Sequence, residues 1–98
     1  PIAPTPEPTC VWEGPYEGRY LGNQYVAYYG ISLNDCMQYC ETEKSYRCWS
    51  FDWYFDYDYC YLNRYDRYTN TLYDSASYHY YERVCNGECS KDKSCNML

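Results

Sequence analysis

Between Cys48 and Leu62 the chain alternates with a period of two. Trp49, Phe51, Trp53, Phe55, Tyr57, Tyr59 and Tyr61 are aromatic, and between them stand Ser50, Asp52, Tyr54, Asp56, Asp58 and Cys60. Such alternation marks β-structure with one apolar and one polar face. A single strand of this length would run to roughly 45 Å, beyond the roughly 30–35 Å across a compact domain of this size. The segment is therefore predicted to fold back as a hairpin, with its turn at Asp56-Tyr57-Asp58, where aspartate side chains bond nearby amides. The fold-back brings Cys48 and Cys60 to one end and lays the aromatics of both arms on one face. Trp49, Phe51, Trp53 and Tyr61 are expected to build the core there.

Elsewhere the pattern changes period. Ser32 to Lys44 predicts a helix: Ser32 is an N-cap, Asp35 sits three residues on in the first turn, and Leu33, Cys36, Met37 and Cys40 share one face. Ahead of it, Arg19-Tyr20-Leu21 and Gln24 to Tyr29 are strand candidates set between turn signals at Gly14-Pro15, Gly18 and Gly22-Asn23. Asn63 to Ser77 is polar and reads as a long loop with a short strand near Leu72, and Tyr78 to Cys85 as a final strand. Three parts follow: a Pro-rich extended arm over residues 1–9, a domain over 10–85, and a Cys-containing tail over 86–98. The arm carries four prolines and reads as a solvated linker or tail, with Thr5 and Thr9 as O-glycosylation candidates.

Composition alters this picture in one respect. Leu, Ile, Val and Phe together supply 12 of 98 residues and the net charge is −6, a balance that by itself points to disorder. Seventeen Tyr, three Trp and eight Cys reverse it. Each buried aromatic removes roughly 150–250 Å² from water, and each disulfide adds about 2–4 kcal/mol. Eight cysteines in so short a chain imply an oxidising compartment, hence a secreted, extracellular protein. A start at Pro1 without an apolar leader is what a mature chain looks like after signal-peptide removal. No run is apolar enough for a membrane span, and an acidic chain with scattered basic residues does not fit nucleic acid.

Cys10, Cys36, Cys40, Cys48, Cys60 and Cys85 are separated by 25, 3, 7, 11 and 24 residues. Asp35-Cys36-Met37-Gln38-Tyr39-Cys40, Cys48-Trp49-Ser50-Phe51-Asp52 and Cys60-Tyr61-Leu62 resemble the Cys-X3-Cys helix and the two Cys-led strands of the PAN/apple family, over residues 10 to 85. The resemblance implies an α+β fold, a small disulfide-rich domain with one helix packed on a mostly antiparallel sheet. It also implies the pairs Cys36 with Cys60, Cys40 with Cys48, and Cys10 with Cys85. Eight cysteines alone allow on the order of 100 connectivities, so the residues leave the pairing open. Cys89 and Cys95 fall outside the family pattern and are assigned to each other, with a bridge to another chain as the alternative.

Catalysis finds no support. His79 is a lone histidine in a strand, and no nucleophile elbow, phosphate loop or Cys-X2-Cys spacing occurs. Asp52, Asp56 and Asp58 lack the glycine and terminal glutamate of an EF-hand loop and read as a solvated acidic turn. No cofactor or metal is assigned. The tyrosines carry the functional information, because so small a domain cannot bury all of them and exposed rings mark interfaces. The interface candidates are Tyr54, Tyr57, Tyr65, Tyr68, Tyr73, Tyr78, Tyr80 and Tyr81. Two functions follow: a non-catalytic module that binds extracellular protein or glycan, and a self-associating subunit of a fibre, adhesive or matrix. An antihaemostatic or protease-inhibitory role ranks below both.

Overall fold

The computed structural model describes residues 10–85. It consists of β1 (Cys10–Tyr20), β2 (Gln24–Tyr29), α1 (Leu33–Thr42), β3 (Ser50–Tyr54), β4 (Tyr59–Asn63) and β5 (Tyr73–Cys85). The strands form one antiparallel sheet in the order β1-β5-β3-β4-β2, with the helix against one of its faces. This is a small, disulfide-rich α+β fold. Residues 1–9 and 86–98, with Thr5, Thr9, Cys89 and Cys95, lie outside the described residues.

The helix begins where its cap predicts: the Ser32 hydroxyl accepts the Asp35 amide at 3.0 Å. It stops two residues before Lys44, because Glu43 adopts an extended conformation. The Glu43 carboxylate takes the Lys44 and Ser45 amides, both at 3.0 Å, in place of a further helical turn. Cys36 and Cys40, one turn apart, face the sheet and form disulfides with Cys60 and Cys48. Cys10 and Cys85 stand opposite each other on β1 and β5 and close the third bridge. These are the pairs that the resemblance implies.

The hairpin of β3 and β4 is present, but its aromatics do not share one face. The turn holds four residues, Phe55 to Asp58, and the register pairs Tyr54 with Tyr59, Trp53 with Cys60, and Phe51 with Leu62. Odd-numbered positions on β3 therefore stand beside even-numbered ones on β4. Since residues opposite each other project to the same side, Phe51, Trp53, Cys60 and Leu62 meet the helix, while Tyr54, Tyr59 and Tyr61 go to the far side. Tyr61 thus leaves the predicted core. Trp49 is also only half-buried: it precedes β3, and the Arg47 guanidinium lies 5.1 Å over its ring.

The core under the helix unites Cys36, Cys40, Cys48, Phe51, Trp53, Cys60, Leu62 and Tyr81, with Trp12, Val26, Tyr28 and Met37 around it. Phe51 stacks on Tyr81 at 5.0 Å and meets the edge of Trp12 at 5.1 Å. Aromatics supply the apolar area that the chain's few aliphatics do not.

Gly14-Pro15 and Gly18 do not break the chain into turns. They fall inside β1, where the ladder to β5 slips between Glu13 and Tyr16 and again between Glu17 and Arg19. β1 is an edge strand, where proline's missing N–H is tolerated. Pairing of Arg19 with Asp74 and of Tyr20 with Tyr73 starts β5 five residues earlier than Tyr78, within the stretch expected to be loop. Gly14 has φ +136°, and a Cβ there would lie 2.9 Å from the Tyr80 carbonyl oxygen and 2.9 Å from the Tyr81 ring. Gly14→Ala is expected to cost about 1–3 kcal/mol through backbone strain and the displaced β5 contact. Denaturant-induced unfolding measures this, and an unchanged midpoint would refute the close approach.

Candidate interaction surface

Among the described residues, the sheet face opposite the helix has a covered half and an open half. The register places Glu13, Tyr16, Ser50, Asp52, Tyr54, Tyr59, Tyr61, Asn63, Tyr78, Tyr80 and Glu82 on it. Its polar members at Ser50, Asp52, Asn63 and Glu82 are nonetheless buried, because the segments after β4 and β1 fold over them.

Over the covered half, the Ser50 hydroxyl donates to the Tyr65 carbonyl, and the Asn63 amide donates to Ser50 Oγ at 3.2 Å. The Arg67 amide donates to the Tyr80 hydroxyl at 3.0 Å, and that hydroxyl donates to Glu82 Oε1 at 2.9 Å. Arg67 Nε meets the other Glu82 oxygen at 3.0 Å, and its guanidinium also lies over Tyr16. Burial pushes the Glu82 carboxyl above its usual range, against the opposing pull of Tyr80 and Arg67. Burial, more than the neighbouring Glu82, drives the Tyr80 phenol far above its ordinary value. Asp52 is raised by burial too, although it accepts the Leu21 and Gly22 amides at 2.7 and 2.9 Å. These carboxylates fasten loops onto the sheet: none of their oxygens is presented to an outside partner.

The open half is paved with tyrosine. Tyr20 stacks on Tyr78 at 5.0 Å and touches Tyr73 at 5.6 Å. Tyr78 meets Tyr54 at 5.0 Å and Tyr61 at 6.1 Å. Tyr54 meets Tyr57 at 5.2 Å and Tyr59 at 5.8 Å, and Tyr59 meets Tyr29 at 4.6 Å. The eight rings form one continuous network, in which Tyr29, Tyr57 and Tyr73 are 61, 61 and 56% exposed. Partial burial raises the phenol pKa of Tyr61 and Tyr78; neighbouring phenols add to the rise at Tyr61, and the Asp52 carboxylate, then neighbouring phenols, add to it at Tyr78. At one end the Asp58 carbonyl takes the Gly30 and Ile31 amides, tying the end of β2 to the hairpin turn and setting Tyr29 beside Tyr59.

The model of the PAN domain family matches this chain over residues 15–85. The chain belongs to the PAN domain family. Searches of curated proteins and of solved structures return no match. PAN domains are disulfide-rich modules that bind protein or carbohydrate and are generally non-catalytic, and the family and its disulfides are typical of extracellular proteins. Among the described residues, no helix of this PAN domain is long and apolar enough to cross a membrane.

Of the tyrosines singled out from the sequence, Tyr54, Tyr57, Tyr73 and Tyr78 lie in the network. Tyr65 and Tyr68 belong to the covering loop, the first half-buried and the second exposed. Tyr80 and Tyr81 are corrections: both are buried. Tyr80 lies beneath the Arg67 loop, and Tyr81 points to the helix side against Phe51. Sequence reasoning missed Tyr20, Tyr29, Tyr59 and Tyr61. The signal for Tyr59 and Tyr61 was the turn's length, because an even number of turn residues switches the parity of the second arm.

Asp52 is separated from the exposed Asp56 and Asp58, and no group of His, Cys, Asp and Glu among the described residues is placed to hold a metal ion. His79 packs on Phe55 at 4.4 Å. On the helix side, a shallow depression lined by Trp12, Asn34, Met37, Gln38 and Glu41 offers a single carboxylate, already bonded to Trp12 Nε1 at 2.8 Å.

Proposed function

We propose that this PAN domain is a secreted, non-catalytic interaction module that engages an extracellular protein or glycan, or further copies of itself, through the tyrosine network. One observation carries the reading: eight tyrosines from β1, β2, β3, β4, β5 and the hairpin turn converge on the half of the sheet face that the described residues leave uncovered. Tyrosine provides large contact area at low entropic cost, with a hydroxyl for hydrogen bonding. Packing of each ring against its neighbours lowers that cost further, since the rotamers are held before a partner arrives.

The test is a variant with Tyr29→Ser, Tyr57→Ser and Tyr73→Ser, which removes the exposed rings and leaves the core and the disulfides untouched. It is expected to fold with native circular dichroism and to lose at least ten-fold in affinity for whatever protein or glycan the native chain captures on an array, in keeping with about 1–2 kcal/mol for well-placed interface rings. Undiminished capture would place the binding surface elsewhere.

A second reading has its own support. Among the described residues the sheet ends in two edge strands, β1 and β2, each with one side unpaired, and such edges are templates for pairing with further chains. A self-assembling structural subunit would form regular filaments under the electron microscope. A strict monomer at all concentrations by light scattering would exclude it.

A further inference from the structure

We propose that the open tyrosine face accepts an arginine- or lysine-bearing polypeptide segment of another protein, held by cation–π contacts and by the carboxylates of the hairpin turn. The inference rests on the interaction reading above and names the chemistry of the partner.

The chain's own use of its aromatics points the way. Arg67 lies 4.5 Å from the Tyr68 ring and 5.3 Å from Tyr16. Arg64 lies 4.6 Å from Tyr25 and 5.8 Å from Tyr46, and Arg47 covers Trp49. Aromatics outside the network thus repeatedly carry a guanidinium. Among the described residues, no cation lies over any of the eight network rings. The one arginine at its margin, Arg19, is engaged with Asp74 at 3.2 Å.

The geometry at the hairpin end suits a cation. Tyr54 stands at 88° to Tyr57 and 85° to Tyr59, and Tyr29 at 82° to Tyr59. Rings set at right angles make a corner, where one guanidinium or ammonium group can meet more than one negative ring face. Planar guanidinium adds stacking, which ranks arginine above lysine. Charge agrees: the chain carries −6, and the exposed Asp56 and Asp58 flank Tyr57 without an ion pair among the described residues. The same carboxylates oppose a sulfated or otherwise anionic ligand.

The test titrates oligo-arginine, oligo-lysine and oligo-glutamate peptides of equal length, and neutral glycans, into the full chain, with calorimetric detection. Oligo-arginine is expected to bind most tightly and oligo-glutamate not at all. Tyr57→Leu and Tyr29→Leu, which leave the net charge unchanged, are each expected to weaken oligo-arginine binding about two- to five-fold. Tyr57→Phe keeps the ring face and is expected to retain binding. Asp56→Asn with Asp58→Asn is expected to weaken binding and reduce its salt dependence. Oligo-arginine affinity that is undiminished in both leucine variants, or no preference for arginine over glutamate, overturns the proposal. Tyrosine-dependent capture of a neutral glycan without peptide binding overturns the cationic partner but leaves the interaction reading standing. Capture of any ligand that survives both leucine variants and the triple serine variant overturns both.

Discussion

Removing the Cys36–Cys60 bridge, as Cys36→Ala with Cys60→Ala, is expected to cost about 3.5 kcal/mol in chain entropy, given a sequence separation of 24. Both cysteines are completely buried, so the lost packing adds roughly 1–2 kcal/mol. The helix has ten residues, too few to persist in water without tertiary support, and this bridge ties its first turns to β4. The equivalent change at Cys40 and Cys48 shortens the loop to a separation of 8 and is expected to cost less, about 2.6 kcal/mol before packing. The two double variants can be ranked by urea unfolding of the oxidised proteins. A smaller loss at Cys36 and Cys60 than at Cys40 and Cys48 would refute the assignment of the longer bridge as the principal clamp.

Arg67→Ala is the second large effect, at about 2–4 kcal/mol near neutral pH. Glu82 is wholly buried and its carboxylate is held by Arg67 Nε and the Tyr80 hydroxyl. Without the guanidinium, folding must either bury an unpaired charge or take up a proton. Burial already raises the Glu82 carboxyl in the native protein, and loss of Arg67 raises it further. A carboxyl whose folded pKa lies above its unfolded value favours the fold at low pH, and that advantage is lost as pH rises through the folded pKa. The Arg67→Ala penalty is therefore expected to shrink on acidification towards about pH 4, where the unfolded carboxyl also holds its proton. Adding Glu82→Gln should restore most of the loss at neutral pH, because a neutral amide needs no counter-charge. Equal destabilisation at acidic and neutral pH would show that Arg67 acts through packing over Tyr16 alone.

The helix and the hairpin were legible because their signals are local. Ser32 and Asp35 mark the helix start within four residues, and the cysteine spacing marks its buried face. The family pattern of those cysteines extends this to the pairing, which spacing alone leaves open. Side and cover were harder to read. The face reached by Tyr59 and Tyr61 turns on whether the hairpin turn holds three residues or four, a difference too small for composition to report. Gly14-Pro15 and Gly18 look like breakers, yet on an edge strand they act as bulges, a distinction only the partner strand can make. The burial of Tyr80 depends on a loop folding back across the sheet, and no periodicity within β5 reveals that. Glu82 was equally hidden, since its partner Arg67 lies fifteen residues away in a stretch that reads as surface loop.

The four-residue turn between Tyr54 and Tyr59 also bears on how the chain reaches its native state. If β4 paired one residue out of step, Cys60 would point away from the helix and its sulfur could not reach Cys36, while Tyr59 and Tyr61 would be driven into the core. A misaligned chain leaves Cys36 and Cys60 as two unpaired thiols. Covalent closure thus acts as a proofreader of strand alignment, and the arrangement it makes permanent is the one that displays the tyrosines.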